Sequence, residues 1–94
     1  MTAPLRTKQE ILEDQFRLTA RLSGMTGEYH RRLQKLSAAG FARQLAEHQG
    51  DAAAFEQAGR DEAEAQAEAD RIDETIRSLE QELNALAREL AAQR

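Results

Sequence analysis

An apolar repeat in the C-terminal half constrains the fold of this chain more than any other feature. Between residues 72 and 90, apolar side chains recur at alternating steps of four and three residues. The positions are Ile72, Ile76, Leu79, Leu83, Leu86 and Leu90. This spacing is typical of a coiled-coil helix, so the segment is predicted to be helical with one side buried.

The same phase continues upstream through smaller side chains. It is kept by Ala69, Ala65, Ala58 and Phe55, with Glu62 as a polar interruption. Alanine favours helix and lets a bulkier helix pack closely against it. Residues 52–70, although rich in Ala, Glu, Gln and Asp, are therefore predicted to be an ordered helix.

A second apolar stripe runs through the N-terminal half and predicts another long helix. Its members are Ile11, Leu18, Leu22, Met25, Tyr29, Leu33 and Leu36, and at about 100° per residue all seven lie in one narrow arc. The stripe keeps its phase past Gly24 and Gly27, which favours a continuous or gently kinked helix there.

Gly40 marks a change of phase, since Phe41 and Leu45 lie far from the arc that the preceding stripe defines. We therefore expect the first helix to cover residues 5–39 and a short helical tip to cover residues 41–49. Gly50 is expected to end this tip, and Asp51 to cap a second helix over residues 51–93. We expect residues 1–4 to form a frayed N-terminus and residues 5–94 to form one helical-hairpin domain.

The two halves carry complementary charge. Residues 1–50 hold eight Lys or Arg and five Asp or Glu, whereas residues 51–94 hold five and twelve. An antiparallel hairpin would bring Arg32 near Glu64 and Glu68, and Arg43 near Glu56. The predicted seam between its helices comprises Ile11, Leu18, Leu22, Met25, Tyr29, Leu33, Leu36, Ala65, Ala69, Ile72, Ile76, Leu79, Leu83, Leu86 and Leu90.

The chain has little material for a thick core, because it has 94 residues of which only 4% are aromatic. A second apolar group, Leu5, Leu12 and Phe16, lies on a different face of the first helix. Apolar residues on two faces of one helix are typical of larger bundles. The fold is therefore predicted to be an all-α, coiled-coil-like antiparallel hairpin that dimerises into a four-helix bundle through these three residues.

No catalytic, cofactor-binding or metal-binding site is predicted. The chain has no cysteine, and neither His30 nor His48 has the glutamate three residues earlier that a di-metal helical bundle uses. The N-terminal residues contain no apolar run long enough for a signal peptide or a membrane span, so a cytoplasmic protein is expected.

These features predict a non-enzymatic interaction protein: an adaptor, scaffold, small chaperone or regulator that forms a homodimer and offers helical surfaces to a protein partner. The alternative is a small dimeric regulator that binds nucleic acid. Its basic face on the first helix would consist of Arg6, Arg17, Arg21, Arg31 and Lys35. The net charge of −4 and the acidic residues among these cations disfavour that alternative.

Overall fold

Two long antiparallel helices form the whole of the described structure, a computed structural model covering residues 6–93. Helix α1 spans Lys8–Gln49 and helix α2 spans Ala52–Ala92. They lie side by side as a rod of 68 × 24 × 14 Å. The predicted all-α helical hairpin is confirmed in this form.

Capping residues set the start of each helix. Thr7 accepts a hydrogen bond from the Glu10 amide, and the Glu10 side chain accepts one from the Thr7 amide, which makes a capping box. Helix α1 therefore begins at Lys8 and not at residue 5 as predicted. Leu5 and the predicted frayed segment, residues 1–4, lie outside the described residues.

The turn between the helices consists of Gly50 and Asp51. Among residues 6–93 Gly50 alone has a positive φ, 69°, a backbone conformation that glycine adopts at little cost. Its amide donates to the carbonyls of Ala46 and Glu47, and the Asp51 side chain accepts from the Ala54 amide. The expected roles of Gly50 and Asp51 are thus confirmed.

Helix α1 continues through all three of its internal glycines. Continuity at Gly24 and Gly27 agrees with the sequence analysis, but the predicted break at Gly40 and the separate tip of residues 41–49 are wrong. Gly40 keeps a helical backbone and lies against α2, where an added Cβ would come within 2.9 Å of Glu62 Oε2. An internal glycine costs only about 1 kcal/mol relative to alanine, which is too little to end a helix that packs on a partner.

The tightest apolar packing lies toward the open end of the hairpin. Ile11 is completely buried, and Leu18, Leu79 and Leu86 are nearly so. Leu22, Met25, Leu83 and Leu90 pack against this cluster. Toward the turn the buried side chains are Ala46, Ala58, Ala65 and Ala69, so the helices contact each other there through small residues.

Replacing a buried leucine tests this packing. We expect Leu79→Ala to lower the free energy of unfolding by about 2–5 kcal/mol, because it removes a buried side chain that the neighbours cannot replace. Leu83, one turn away, is half-buried, so Leu83→Ala should cost less. Urea unfolding followed by circular dichroism at one protein concentration measures both. A loss for Leu79→Ala below about 0.5 kcal/mol, the range of surface substitutions, would contradict a core at this position.

The conformational role of Gly50 can be tested with a matched pair of glycine substitutions. Gly50→Ala should lower stability by about 1–2 kcal/mol, because alanine is strained at positive φ. Gly59 is helical and has nothing within 4 Å of an added Cβ, so Gly59→Ala should raise stability by about 0.5–1 kcal/mol. Thermal and urea unfolding report both changes. Equal effects of the same sign would show that backbone conformation does not decide the outcome.

Candidate interaction surface

All fifteen predicted seam residues lie in the buried or half-buried part of the hairpin. The buried ones are Ile11, Leu18, Ala65, Ala69, Leu79 and Leu86. The half-buried ones are Leu22, Met25, Tyr29, Leu33, Leu36, Ile72, Ile76, Leu83 and Leu90. Half-burial is common here because a single neighbouring helix covers only one side of each large side chain.

Three ion pairs join the two arms of the hairpin at different heights, two between α1 and α2 and one from Arg6, which precedes α1. Arg6 contacts both carboxylate oxygens of Glu89 near the open end, with Nε donating to Oε1 at 3.0 Å. Arg32 Nε lies 3.0 Å from Glu68 Oε2 near the middle, although its N–H is not directed at that oxygen. Closer to the turn, Arg43 Nη2 lies 3.5 Å from Glu62 Oε1. These pairs favour one register, but ion pairs that remain partly open to water each contribute about 1 kcal/mol or less.

The pairing of Arg32 with Glu68 agrees with the prediction, whereas that of Arg43 with Glu56 is wrong. Side chains lean toward the N-terminus of their own helix. The long Arg43 side chain therefore leans away from the turn, while side chains of α2 lean toward it. The two meet at Glu62, farther from the turn than Glu56.

Three of the five cations of the predicted basic face form ion pairs with carboxylates. Arg6 pairs with Asp14 and Glu89, Arg17 with Asp14, and Arg31 with Glu28. Hydrogen bonding to Glu89 raises the pKa of Arg6, and hydrogen bonding to Arg31 lowers the pKa of Glu28. The stabilisation from the Glu28 pair is therefore present above the ordinary glutamate pKa and is lost as the pH falls through the lowered value.

Arg21 and Lys35 are the two members of that face without a carboxylate within ion-pair distance among residues 6–93. Both are exposed. Among residues 6–93 the basic face thus has two cations without an ion pair, and they are separated by almost four helical turns.

Four large apolar side chains of α1 are exposed to solvent. The exposed fractions are 46% for Leu12, 79% for Phe16, 69% for Phe41 and 47% for Leu45. Leu12 and Phe16 belong to the predicted oligomer interface, and their exposure is compatible with that role. Phe41 and Leu45 lie in the segment predicted to be a separate tip, which is part of α1.

All four side chains lie on one side of α1. At about 100° per residue, Leu12, Phe16, Phe41 and Leu45 fall within an arc of roughly 60°. The stripe that joins them contains Ala20, Ser23, Gly27, His30, Gln34 and Ala38. No charged residue of α1 falls within an arc of roughly 140° that contains the stripe. We call these ten residues the uncharged face of α1.

The grooves along the junction of the helices are of a different character. One is lined by Lys35, Ala38, Ala39 and Ala42 on α1 and by Asp61, Glu64, Ala65 and Glu68 on α2. Within residues 6–93 no three His, Asp or Glu side chains are grouped as a metal site would require. His30 and His48 are both exposed. None of the described helices combines the length and apolar composition needed to cross a membrane.

Comparison with models of protein families, with curated proteins and with solved structures finds no match to this chain. Function is therefore inferred from the geometry and chemistry of its own surfaces.

Proposed function

We propose that the chain is a non-enzymatic, cytoplasmic interaction protein, an adaptor, scaffold, small chaperone or regulator. It acts as a homodimeric four-helix bundle with coiled-coil packing and presents helical surfaces to a protein partner. The observation that carries this proposal is the uncharged face of α1, which holds four large exposed apolar side chains. They form two apolar patches, Leu12 with Phe16 and Phe41 with Leu45, and exposed apolar patches mark interaction sites on soluble proteins.

The exposed area of the chain supports the same proposal. Its accessible surface is 7136 Å² for a mass of 10.5 kDa. A compact monomer of that mass would expose about 5,400 Å². The excess of about 1,700 Å² is roughly twice what one partner contributes to a stable protein interface of standard size. An interaction protein can bury such an excess in its complexes.

A non-enzymatic role fits the layout of the polar residues. Catalytic sites usually place several polar groups together in a concave pocket. Here the groove beside Lys35 runs open along the junction of the two helices, and its walls are alanines and three carboxylates. His30 and His48 lie on the outer surface, roughly 27 Å apart along α1.

Partner capture tests the interaction role directly. We expect the tagged chain, expressed at its native level and cross-linked in its own cells, to recover one other protein in near-equimolar amount. Because the partner should contact an exposed helical surface, rebuilding the complex from the two purified proteins should reproduce the binding. Quantitative mass spectrometry and calorimetry provide the measurements. Recovery of the chain alone would contradict an adaptor or scaffold role.

Nucleic-acid binding is the second candidate, and Arg21 and Lys35, the two cations without an ion pair among residues 6–93, favour it. We expect no gel shift with DNA or RNA at micromolar protein near physiological salt, because the other cations of the face are balanced by carboxylates and the chain is acidic. The variant with Arg17, Arg31 and Lys35 replaced by glutamine should keep its helicity and behave identically. A discrete complex whose affinity falls with salt, with a slope reduced by up to about three units in the variant, would support the alternative instead.

A further inference from the structure

We propose that two copies of this chain pair antiparallel through the uncharged face of α1, about a two-fold axis that crosses this face at the height midway between Glu28 and Tyr29. The inference rests on the homodimer in the proposed function and specifies its topology and its contacts. It also enlarges the predicted interface, because Phe41 and Leu45 join Leu12 and Phe16 in it.

The spacing of the exposed apolar side chains fits a two-fold pairing. Leu12 and Phe16 lie as far before the midpoint of Glu28 and Tyr29 as Leu45 and Phe41 lie after it. An antiparallel pair therefore sets Leu12 level with Leu45 of the second copy, and Phe16 level with Phe41. Each contact occurs twice, which is the property of a two-fold interface made from one surface.

The centre of the face suits close approach of the two helices. Ala20, Ser23 and Gly27 are small, and an added Cβ at Gly27 would meet nothing within 4 Å in the hairpin. In the antiparallel pair Gly27 lies level with His30 of the second copy, and His30 is exposed. An imidazole packed over the glycine would fill that open space on both sides of the axis.

Charge along the edge of the face is compatible with this pairing. Four charged residues follow one edge, and they are Glu13, Arg17, Arg31 and Lys35. The positions level with them on the second copy are, in the same order, Gln44, Gly40, Thr26 and Leu22. No like charges are therefore level with one another along this edge. The nearest are the two copies of Arg31, and Arg17 with Lys35 of the second copy, in each case offset by about 7.5 Å along the helix. Each Arg31 is paired with Glu28 of its own chain.

The charge of α2 favours contact through α1. Helix α2 carries eleven Asp or Glu and four Lys or Arg. Two such helices in contact would repel each other. When the α1 helices pair, each α2 lies on the outside of the assembly, on the side of α1 away from the second copy. The four helices then lie in one row, in the order α2, α1, α1 of the second copy and its α2, and form a layer in place of a bundle around one shared core.

The exposed phenylalanines supply about half of the area that a small stable dimer interface buries. A buried aromatic side chain removes about 150–250 Å² from water. From the exposed fractions of Phe16 and Phe41, the four phenylalanines of a dimer would together bury up to about 600 Å². The leucines and the small residues between them extend the contact over about nine helical turns, toward the roughly 1,200 Å² of the smaller stable interfaces.

Charge substitution with rescue tests the contact between Phe16 and Phe41. Light scattering of the unmodified chain should give about 21 kDa, twice its 10.5 kDa. Phe16→Glu and Phe41→Lys should each raise the dissociation constant of the dimer at least about tenfold while helicity is kept. Each substitution occurs in both copies, so it buries one charge at each of the two equivalent contacts. An equimolar mixture of the two variants should dimerise again, since the introduced carboxylate then faces the introduced ammonium at one contact and the other contact is unaltered.

A control for the added charge is Ala67→Glu, which places a carboxylate on the exposed surface of α2. It should leave the dimer mass and the dissociation constant unchanged. Loss of the dimer in this variant would mean that net charge, and not the uncharged face of α1, controls association.

Distances between spin labels test the antiparallel direction. The chain has no cysteine, so Lys35→Cys and Gln49→Cys each provide one label per copy. Antiparallel pairing about the proposed axis separates the two labels along the helix by about 20 Å at position 35 and about 60 Å at position 49. A parallel pair would instead give similar short distances at both positions.

Each outcome separates this inference from the proposed function. A wild-type monomer, a dimer that survives Phe16→Glu, or a short distance at position 49 overturns the inference, while partner capture can still support an interaction role. Conversely, a dimer with the expected distances and rescue supports the inference even if no second protein is captured.

Discussion

The structure depends on a contact surface between two helices that is only about one side chain wide. Each helix can turn a single stripe toward its neighbour, so the largest seam residues are covered on one side and remain partly open on the other. Among residues 6–93, the buried side chains are Ile11, three leucines that pack near it, and alanines elsewhere. This limit explains both the low number of buried side chains and the large accessible surface of the chain.

Polar groups contribute chiefly by selecting one arrangement of the helices. The pairs Arg6–Glu89, Arg32–Glu68 and Arg43–Glu62 are spread along the rod, and a shift of one helical turn would separate all of them. Their individual contributions are small because their charged groups remain partly open to water. Together with the αL conformation of Gly50, they define which residues of α1 and α2 face each other.

Much of this fold could be predicted from the sequence. Heptad spacing identified the apolar stripe of α2, and Gly50 with Asp51 identified the turn. Both signals depend on residues close together in the sequence, and each indicates a single structure. The capping box was missed although Thr7 and Glu10 have the characteristic spacing. Ion-pair partners were less predictable, since the lean of long side chains along the helix decides them, as Arg43 shows.

At Gly40, a change in the phase of apolar residues was interpreted as the end of a helix, whereas Phe41 and Leu45 simply occupy a second face of the same helix. Their phase matches that of Leu12 and Phe16, which was the signal available in the sequence. A glycine within a periodic segment therefore does not distinguish a helix end from a position of close contact, here with Glu62.

The uneven distribution of packing along the rod has a consequence for how the hairpin forms. Contacts next to the two-residue turn are the easiest to reach, because they close short loops, but they involve alanines and gain little energy. The most deeply buried cluster, around Ile11 and Leu86, joins residues that are far apart along the chain. It can form only after a loop of nearly the whole chain has closed. Contacts between the helices can thus form first at the turn, but the hairpin becomes stable only when the residues at the opposite end pack together. The end far from the turn therefore keeps the two helices together.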